Sequence, residues 1–382
     1  MSDGDRIHWT EGGQPQSARW RSEAGVPALR RVRVADDTLT ADAAYRLASE
    51  GNQFLWRADF HNARQLLQAI ARRADRKPRG KAPPATLLHA FNAHRQAQGQ
   101  RARILGSLLI PVAGDYTVPL RRAPDLREAL SEAWGACDGQ ASVASLRELL
   151  GVVGAHEWRK KGVEVPALGA APGNRIHPHY GVFSPVRGEY LDLVAKAPLP
   201  ANAELAFDIG TGTGVLAAIL ARRGVQRVVA TDMDERAIVC ALANIASLGL
   251  ERRVEVVQAD LFPHGVAPLV VCNPPWLPAR PSSSLERAVY DEESRMLRGF
   301  LAGLRGHLTP LGEGWLIVSD LAEHLGLRVP GQLAGWIDAA GLRVAGRLDA
   351  RPRHPKAADP SDPLHAARSR EVTTLWRLAA AP

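Results

Sequence analysis

The stretch that decides the fold is AFDIGTGTG at residues 206–214, followed directly by VLAAIL at residues 215–220. A short apolar run, a glycine loop and a second apolar run predict a strand, a tight turn and a helix. Glycines let a backbone turn sharply and let a ligand approach it closely. The pattern fits a ligand-binding loop, a plain strand-to-helix turn or a dinucleotide-binding turn.

The residues around the glycines narrow the kind of ligand. The spacing is GxGxG, with Asp208 two residues before the first glycine and Val215 at the place of the third glycine of a GxGxxG dinucleotide loop. A carboxylate repels a pyrophosphate and attracts a cation. The loop therefore suits a positively charged ligand better than a dinucleotide.

Two further acidic residues follow the next two apolar runs of the chain. Asp232 comes after the run at 227–231, and Asp260 follows the run at 253–257. Because ligands bind at the carboxyl ends of the strands in an open α/β sheet, we expect both acids beside the glycine loop. Asp232 is placed to accept hydrogen bonds from two ribose hydroxyls, and Asp260 can accept one from an exocyclic adenine amine.

Short apolar runs alternate with helical stretches throughout the C-terminal half of the chain. This alternation predicts a parallel sheet with helices on both faces, which is a doubly wound α/β fold. The runs lie at 205–208, 227–231, 253–257, 268–272 and 315–319. Leu342–Leu348 and Val372–Leu378 predict two more strands, and we expect them to pair antiparallel because no long helix separates them.

From about residue 175 to residue 382 the chain resembles the class I S-adenosylmethionine (SAM)-dependent methyltransferases. The resemblance implies a seven-stranded Rossmann-like sheet whose last strand is antiparallel, and it implies SAM as the cofactor. In that family the glycine loop holds the methionine part, the second acid holds the ribose and the third acid reaches the adenine. The residues that the resemblance assigns to SAM are Asp208, Gly210, Thr211, Gly212, Gly214, Asp232, Met233, Asp260, Leu261 and Asn273.

The tetrapeptide Asn273-Pro274-Pro275-Trp276 follows the fourth apolar run and narrows the chemistry. The prolines fix their own φ angles and restrict the residue before them, so Asn273 is held extended at the strand end. Asn-Pro-Pro alone is a common loop fragment. After the fourth strand of this sheet it resembles the NPP-aromatic motif of methyltransferases that act on planar NH2 groups.

A planar NH2 nitrogen is a poor nucleophile because its lone pair is delocalised. The side-chain carbonyl of Asn273 and the backbone carbonyl of Pro274 could accept its two N–H bonds and hold the nitrogen in line with the sulfonium methyl. Trp276 would stack on the planar group. Tyrosine or phenylalanine is more usual at that position in the glutamine-modifying and many RNA-modifying branches, which leaves the substrate type open. No metal is implied.

A second segment, YGVFSPVRGEY at residues 180–190, precedes the glycine loop. It resembles the Pro-x-x-x-Glu segment that borders the cofactor and substrate pocket in HemK-like glutamine methyltransferases. An interdomain strand with a helix start at Pro185 fits the segment as well. On the resemblance we assign Phe183 and Pro185 to the substrate pocket. His177 and His179 have no acid or cysteine cluster beside them, so we interpret them as loop residues rather than metal ligands.

The length of 382 residues suggests two domains, and the 46% apolar and 23% charged fractions are ordinary for a globular protein. The predicted linker is PALGAAPG at residues 166–173, so that residues 166–382 form the methyltransferase domain. Residues 1–165 predict a mainly helical domain. Its predicted elements are an irregular arm over 1–38, a helical hairpin over about 40–70, a helix over 85–98, a strand pair over 103–119 and helix again over 125–159.

Positive charge is concentrated in the N-terminal half. The chain carries a net charge of +8, of which +7 falls in residues 1–165, and six basic residues lie between positions 72 and 81. A coding bias toward arginine or a solvated surface explains such a pattern without a partner. The alternative is a macromolecular substrate, either a protein or a nucleic acid, that binds through residues 1–165.

Three features bear on the cellular compartment. The first residues are polar with no apolar segment behind them, and no apolar stretch is long enough for a membrane span. Cys137, Cys240 and Cys272 form no CxxC pair. We therefore expect a cytoplasmic protein with no membrane contact and no zinc ribbon.

These observations predict a SAM-dependent N-methyltransferase of planar amide or exocyclic amino nitrogens. The preferred acceptor is a glutamine side chain of a translation-related protein, because a helical domain before an NPP-aromatic methyltransferase domain is the HemK-like layout. A nucleobase amine in RNA or DNA is the alternative that the basic N-terminal half favours, and a small molecule is a third. A non-catalytic SAM-fold binding protein is disfavoured, since it would not need the amine-orienting tetrapeptide.

Overall fold

The computed structural model describes residues 6–28, 30–76, 84–186, 188–281, 285–353 and 358–382, and the structural statements below concern these residues. The chain divides into two compact units. The first consists of Met1–Pro84 and Asn92–Glu157, and the second of Ala85–Phe91 and Trp158–Pro382. The predicted linker at 166–173 therefore lies wholly inside the second unit.

The N-terminal half contains a six-stranded mixed sheet. Its strands are β1 (Arg6–Glu11), β2 (Gln14–Arg21), β3 (Val32–Ala35), β4 (Gln53–Trp56), β5 (Leu108–Val112) and β6 (Ser142–Ser145). They are arranged in the order β1-β2-β6-β5-β4-β3, with antiparallel pairing in β1–β2 and β5–β6 and parallel pairing elsewhere. The helices are α1 (Ala41–Ser49), α2 (Phe60–Ala74), α3 (Leu87–Leu105), α4 (Arg127–Trp134) and α5 (Leu146–Lys161).

More of the described residues of this half lie in helices than in strands, but the prediction omitted most of the sheet. Strands β1 to β3 occupy the predicted irregular arm, and β4 interrupts the predicted helical hairpin. The predicted strand pair over 103–119 contains only one strand, β5, because α3 continues to Leu105. Strand β6 likewise divides the predicted helix over 125–159. Of the basic run between 72 and 81, residues 77–81 lie outside the described part of the chain.

The physical reason is that these strands are short, and that any alternation of apolar and polar residues in them extends over only a few positions. Strand β4 is four residues long, and all four are buried. In β2 only Ala18 is buried among eight residues. Neither pattern distinguishes a strand from other structure, because that distinction depends on a period of two over a longer run.

The second unit contains a seven-stranded sheet. Two short strands precede it, β7 (Val163–Glu164) and β8 (Arg175–Ile176). The strands of the sheet are β9 (Leu205–Ile209), β10 (Arg227–Asp232), β11 (Val254–Gln258), β12 (Ala267–Cys272), β13 (Leu308–Ser319), β14 (Leu342–Ala350) and β15 (Thr373–Ala380). The helices of this part of the chain are α6 (Glu189–Lys196), α7 (Val215–Arg222), α8 (Glu235–Ser247), α9 (Arg295–Leu304), α10 (Leu321–His324), α11 (Gln332–Ala339) and α12 (His365–Arg368). The strand order is β11-β10-β9-β12-β13-β15-β14. The strands from β9 to β13 pair parallel, whereas β15 is antiparallel to β13 and β14. The predicted α/β fold with an antiparallel last strand is confirmed.

Helices cover both faces of this sheet. Leu269 and Val271 of β12 pack into a cluster with residues of α6 and α7, whereas Val270 and Cys272 pack into a second cluster with residues of α9 and α11. A strand that is buried on both faces is apolar at successive positions rather than at alternate ones. This burial explains the continuous apolar runs from which the sheet was predicted.

Two further observations concern cysteines and membrane segments. The three cysteines are free. Within the described ranges, no helix has the length and apolarity that crossing a bilayer requires.

Candidate functional site

The register of the parallel strands brings the predicted site residues to one edge of the sheet. Ile209, the last residue of β9, is in register with Thr231 of β10 on one side and with Cys272 of β12 on the other. The next residues along the three strands therefore lie side by side, and they are Gly210, Asp232 and Asn273.

Asp208 fixes the glycine loop. It is fully buried, and its Oδ2 accepts hydrogen bonds from Thr211 Oγ1 at 2.6 Å and from the backbone N–H of Ala217 at 3.0 Å. Its other oxygen, Oδ1, has no hydrogen-bond donor among the described residues. Burial, with a smaller contribution from the Asp232 carboxylate, raises the pKa of Asp208 to about 6. The described residues therefore leave one oxygen of this buried carboxyl group without a donor.

The glycine loop leaves space beside its backbone. Gly210 has a φ of +71°, and a Cβ there would lie 2.4 Å from Met296 Cε. Gly212 has a φ of +57°, and a Cβ there would meet nothing within 4 Å. The left-handed φ values explain the glycines at both positions, and the open space beside Gly212 is available to a ligand.

Asp232 is tied to the loop and still has acceptor capacity. Its Oδ2 accepts from the backbone N–H of Gly212, and its Oδ1 from that of Asp234, both at 3.0 Å. Burial raises the pKa of Asp232. A carboxylate has about four lone-pair positions, so roughly two remain for ligand hydroxyls. The neighbouring Met233 side chain is 63% exposed.

Asp260 occupies a more exposed place than Asp208 and Asp232. Its side chain is 67% exposed, and one carboxylate oxygen lies 3.8 Å from Arg295 Nη2. Leu261 has a φ of +68°, and its carbonyl accepts from Thr231 Oγ1 at 2.5 Å. The structure thus ties Leu261 to the end of β10, while the Asp260 carboxylate stands at the rim of the site.

The tetrapeptide holds its asparagine through its own tryptophan. Trp276 Nε1 donates a hydrogen bond to Asn273 Oδ1 at 3.1 Å, and the Trp276 ring packs against the apolar cluster that contains α7. The indole is therefore occupied at its N–H edge and partly buried, which differs from the predicted role of a free stacking platform. The bond fixes the orientation of the Asn273 amide, and Oδ1 keeps a second lone pair for another donor.

Arg328 supports the tetrapeptide from a distant position in the sequence. It is only 3% exposed, and its Nη2 donates to the backbone carbonyl of Trp276 at 3.3 Å. Its Nε has no acceptor in the described part of the chain. Burial lowers the pKa of Arg328, while Glu323 and Asp291 favour its charged form. No motif surrounds this arginine, so sequence reasoning had no signal by which to find it.

Asp291 is a second residue near the tetrapeptide that the sequence did not predict. It accepts from the backbone N–H groups of Met296 and Leu297, and its own backbone N–H donates to the carbonyl of Leu277. It therefore ties the start of α9 to the residue that follows Trp276. A single aspartate before a helix is an ordinary capping signal, which does not distinguish a site residue.

The segment before the glycine loop runs along α8, the helix that follows Asp232. Val182 packs against Ala237 and Cys240 of that helix, and Phe183 beside it is 37% exposed. Pro185 is buried, and α6 begins at Glu189 rather than at Pro185.

Glu189 is the polar residue of this segment that the structure singles out. It is 4% exposed, and its Oε1 has no hydrogen-bond partner among the described residues. It lines a cavity of about 440 Å³ between α6 and the end of β14. His177, in contrast, places its Nδ1 2.6 Å from the carbonyl of Arg159, and no cluster of three or more metal-ligating side chains occurs within the described ranges.

The class I methyltransferase fold implies SAM, and the residues present fit that molecule. The free oxygen of buried Asp208 suits a cation, and the remaining lone pairs of Asp232 suit ribose hydroxyls. The open space beside Gly212 suits the methionine part.

Comparison with known proteins gives matches to methyltransferases of several substrates. A family model described as ribosomal protein L11 methyltransferase (PrmA) matches residues 193–274. A ribosomal protein uL3 glutamine methyltransferase of Bordetella pertussis is 29% identical over 187 residues, which cover 44% of this chain and 62% of that protein. A release factor glutamine methyltransferase of Cereibacter sphaeroides is 32% identical over 165 residues, covering 38% and 56% of the two chains. A tRNA1(Val) (adenine(37)-N6)-methyltransferase of Shewanella sp. is 28% identical over 141 residues, covering 35% and 59%.

The chain thus spans less than two thirds of the length of each of these relatives. The segment that the family model matches includes the glycine loop and the end of β12, and the proteins named above are methyltransferases of ribosomal proteins, a release factor and a tRNA. The chain is therefore similar to SAM-dependent methyltransferases, including those of the HemK-like group.

Proposed function

We propose that this chain is a SAM-dependent N-methyltransferase that acts on a planar amide or exocyclic amino nitrogen. The preferred acceptor is a glutamine side chain of a translation-related protein, which places the reaction in the cytoplasm. One observation carries the proposal: Asn273, held by Trp276 Nε1 at 3.1 Å, stands at the end of β12 next to the strand that leads into the glycine loop.

In this proposal the carboxylates of the site bind SAM, and the tetrapeptide orients the acceptor. When bound, SAM supplies a methyl group on a positively charged sulfur. Asp208 offers its free oxygen to the positive charge, and Asp232 offers its remaining lone pairs to the ribose. Asp260 at the rim is our proposed acceptor for the adenine amine, although its exposure weakens the bond that it can make.

The acceptor nitrogen is held by neutral oxygens. Asn273 Oδ1 has one lone pair that Trp276 does not use, and it accepts one N–H of the acceptor, while the Pro274 carbonyl accepts the other. Two such bonds aim the nitrogen lone pair and raise its effective concentration at the reacting carbon. The nitrogen lone pair bonds the methyl carbon while the carbon–sulfur bond breaks with its electrons left on the sulfur, and the nitrogen then loses one N–H proton to solvent. We place the rest of the acceptor between Phe183, Pro185 and the cavity lined by Glu189.

Two considerations favour glutamine as the acceptor. Two of the relatives named above are glutamine methyltransferases. The uL3 methyltransferase is matched over 62% of its length and the release factor methyltransferase over 56%. Glutamine also presents an amide NH2 small enough for a site of two carbonyl acceptors. The second candidate, a nucleobase amine, is supported by the tRNA adenine methyltransferase among the relatives and by the +7 charge of residues 1–165.

The test uses the full-length protein, SAM with a radiolabelled methyl group, and an extract from cells that lack this enzyme. Samples of the labelled extract are treated with protease or with nuclease. We expect protease alone to release the label, and hydrolysis of the labelled protein to yield N-methylated glutamine. Label released by nuclease alone would identify a nucleobase and refute the glutamine assignment.

Asn273→Ala tests the assignment of the tetrapeptide. We expect it to abolish labelling while calorimetric SAM binding persists, because the amide acts on the acceptor rather than on the cofactor. An Asn273→Ala protein that labels the extract at the wild-type rate would show that the tetrapeptide does not orient the acceptor.

A further inference from the structure

The outer hairpin of the N-terminal sheet carries a row of arginines on one face. Arg6 of the edge strand β1 is directly opposite Arg19 of β2 in the register, and Arg21 follows two positions later on the same face. Like charges at opposite positions of a strand pair destabilise the pair. Only partial compensation is present: Arg19 forms an ion pair with Asp138 at 2.5 Å, and Arg6 donates to Ser17 Oγ at 2.8 Å.

Arg21 stands beside a cavity with unused hydrogen-bond donors. Its guanidinium carbon lies 4.8 Å from the centre of the Trp134 ring and 5.9 Å from that of Tyr116. Arg21 Nε and Trp134 Nε1 are both buried, and neither has an acceptor in the described part of the chain. Both residues line a cavity of about 460 Å³ that Arg19 and Asp138 also border. Buried donors without acceptors are rare in folded proteins, and a ligand with acceptor oxygens in this cavity would satisfy both of them.

The arrangement of the arginines favours a nucleic acid over an acidic peptide. Alternate residues of a strand lie about 6.7 Å apart, so Arg19 and Arg21 form part of a regular row of positive charges. Phosphates along a polynucleotide strand are regular at a comparable spacing, whereas the carboxylates of a peptide are not. An arginine fork binds a phosphate through two parallel N–H bonds, and Arg21 Nε has no acceptor among the described residues that would compete for one of them.

We propose that this face of the β1–β2 hairpin, together with the cavity beside Arg21 and Trp134, binds the phosphodiester backbone of a single-stranded nucleic acid. The site lies within the first compact unit. It would bring a nucleic-acid-containing target to the enzyme whichever nitrogen receives the methyl group, so it does not depend on the proposed acceptor.

The experiment measures binding of a fluorescent single-stranded RNA of about 12 nucleotides by anisotropy, at several salt concentrations between about 50 and 200 mM. The full-length protein is used, without SAM, so that methyl transfer plays no part. DNA of the same sequence and a glutamate-rich peptide of equal charge serve as competitors. The variants are Arg21→Gln, Arg21→Lys and Trp134→Phe. Arg64→Gln on the exposed side of α2 is the matched control for loss of one positive charge.

We expect Arg21→Gln to weaken RNA binding about tenfold and to lower the salt slope by about one, as for loss of one phosphate contact. Arg21→Lys should keep the salt slope but lose affinity, because a lysine has no fork. Trp134→Phe should weaken binding less than Arg21→Gln, and Arg64→Gln should leave both quantities near wild type. Stronger competition by RNA than by DNA, or the reverse, names the natural ligand and supports the proposal in either case.

Two results would overturn the proposal. One is an equal loss of RNA affinity in Arg21→Gln and Arg64→Gln, which would show that binding depends only on the net charge of the protein. The other is displacement of the RNA by the glutamate-rich peptide as effectively as by unlabelled RNA, which would identify a general acidic-partner surface. Thermal melting of each variant ensures that a loss of binding is not a loss of fold.

Discussion

The hydrogen bond between Trp276 and Asn273 can be removed with little other change. Trp276→Phe deletes the indole N–H that lies 3.1 Å from Asn273 Oδ1 but keeps an aromatic ring at the same place. Phenylalanine has no donor with which to replace the bond. The Asn273 amide would then be free to rotate about its last side-chain torsion. The variant therefore tests whether the orientation of the Asn273 amide matters, because the amide itself remains in place.

The expected size of the effect follows from the kind of bond. A neutral hydrogen bond contributes about 0.5–1.5 kcal/mol net, and about 1.4 kcal/mol corresponds to a tenfold change in rate. We therefore expect kcat to fall by about 2- to 12-fold. Because Asn273 Oδ1 is assigned to the acceptor nitrogen, the affinity for SAM should stay near wild type.

The assay is the initial rate of radiolabel transfer to the acceptor fraction at saturating SAM, combined with calorimetric SAM binding. Trp376→Phe is the matched control, because Trp376 is also partly buried in the second unit and packs on the other face of the sheet. Thermal melting of both variants measures the cost of the smaller ring, which should be similar in the two.

A Trp276→Phe enzyme with the wild-type rate would refute the reasoning, since transfer would then not depend on the hydrogen bond to the Asn273 amide. A fall in SAM affinity that matches the fall in rate would also refute it, because Trp276 would then act on the cofactor. A fall in kcat alone, absent from Trp376→Phe, is the outcome that the structure predicts.

Three further predictions concern the carboxylates and the buried arginine. Asp232→Ala should weaken SAM binding about tenfold or more, as expected for loss of hydrogen bonds to a charged acceptor, and unchanged calorimetric affinity would contradict the ribose assignment. The pKa of Asp208 is raised to about 6, so this group is largely protonated at lower pH and ionised at higher pH. SAM affinity should therefore rise between about pH 5 and pH 7.5, because only the ionised form of Asp208 attracts a cation. Asp208→Asn should remove this pH dependence. A wild-type affinity that does not change with pH would rule out an interaction between the Asp208 carboxylate and the positive charge of SAM. Arg328→Met should lower kcat about three- to tenfold by releasing the Trp276 carbonyl, yet leave the melting temperature unchanged or higher because a buried charge costs desolvation energy. Equal losses of activity and stability in Arg328→Met would indicate a purely structural arginine.

The C-terminal sheet was predictable because its signals are local. Strand β12 is apolar at successive positions and is followed by Asn273 and two prolines, and β9 is followed by the glycine loop. Such runs place β9, β10, β11 and β12 within about a residue of their observed ends, whereas β13 begins at Leu308, well before the predicted run at 315–319. The polar residues at or beside the ends of the strands, above all Asp208, Asp232 and Asn273, could be assigned to one edge because parallel strands share a direction.

The N-terminal sheet was not predictable from the same kind of signal. Phe54 and Leu55 fit a helical spacing with Ala44 and Leu47, yet they lie in a buried strand. Their conformation depends on pairing with β3 and β5, and β5 begins 52 residues beyond the end of β4. A four-residue strand gains its stability from such neighbours rather than from its own propensity.

The sequence by itself determined the α/β fold of the second unit and the polar residues at the ends of its strands, from which the proposed chemistry follows. Only the tertiary structure decided how those residues are held: Trp276 turns back to bond Asn273, and Arg328 reaches the Trp276 carbonyl from 52 residues further along the chain. It likewise decided that Arg6, Arg19 and Arg21 share one face beside Trp134. Contacts between side chains that are distant in sequence depend on packing of the whole core, which local composition does not specify.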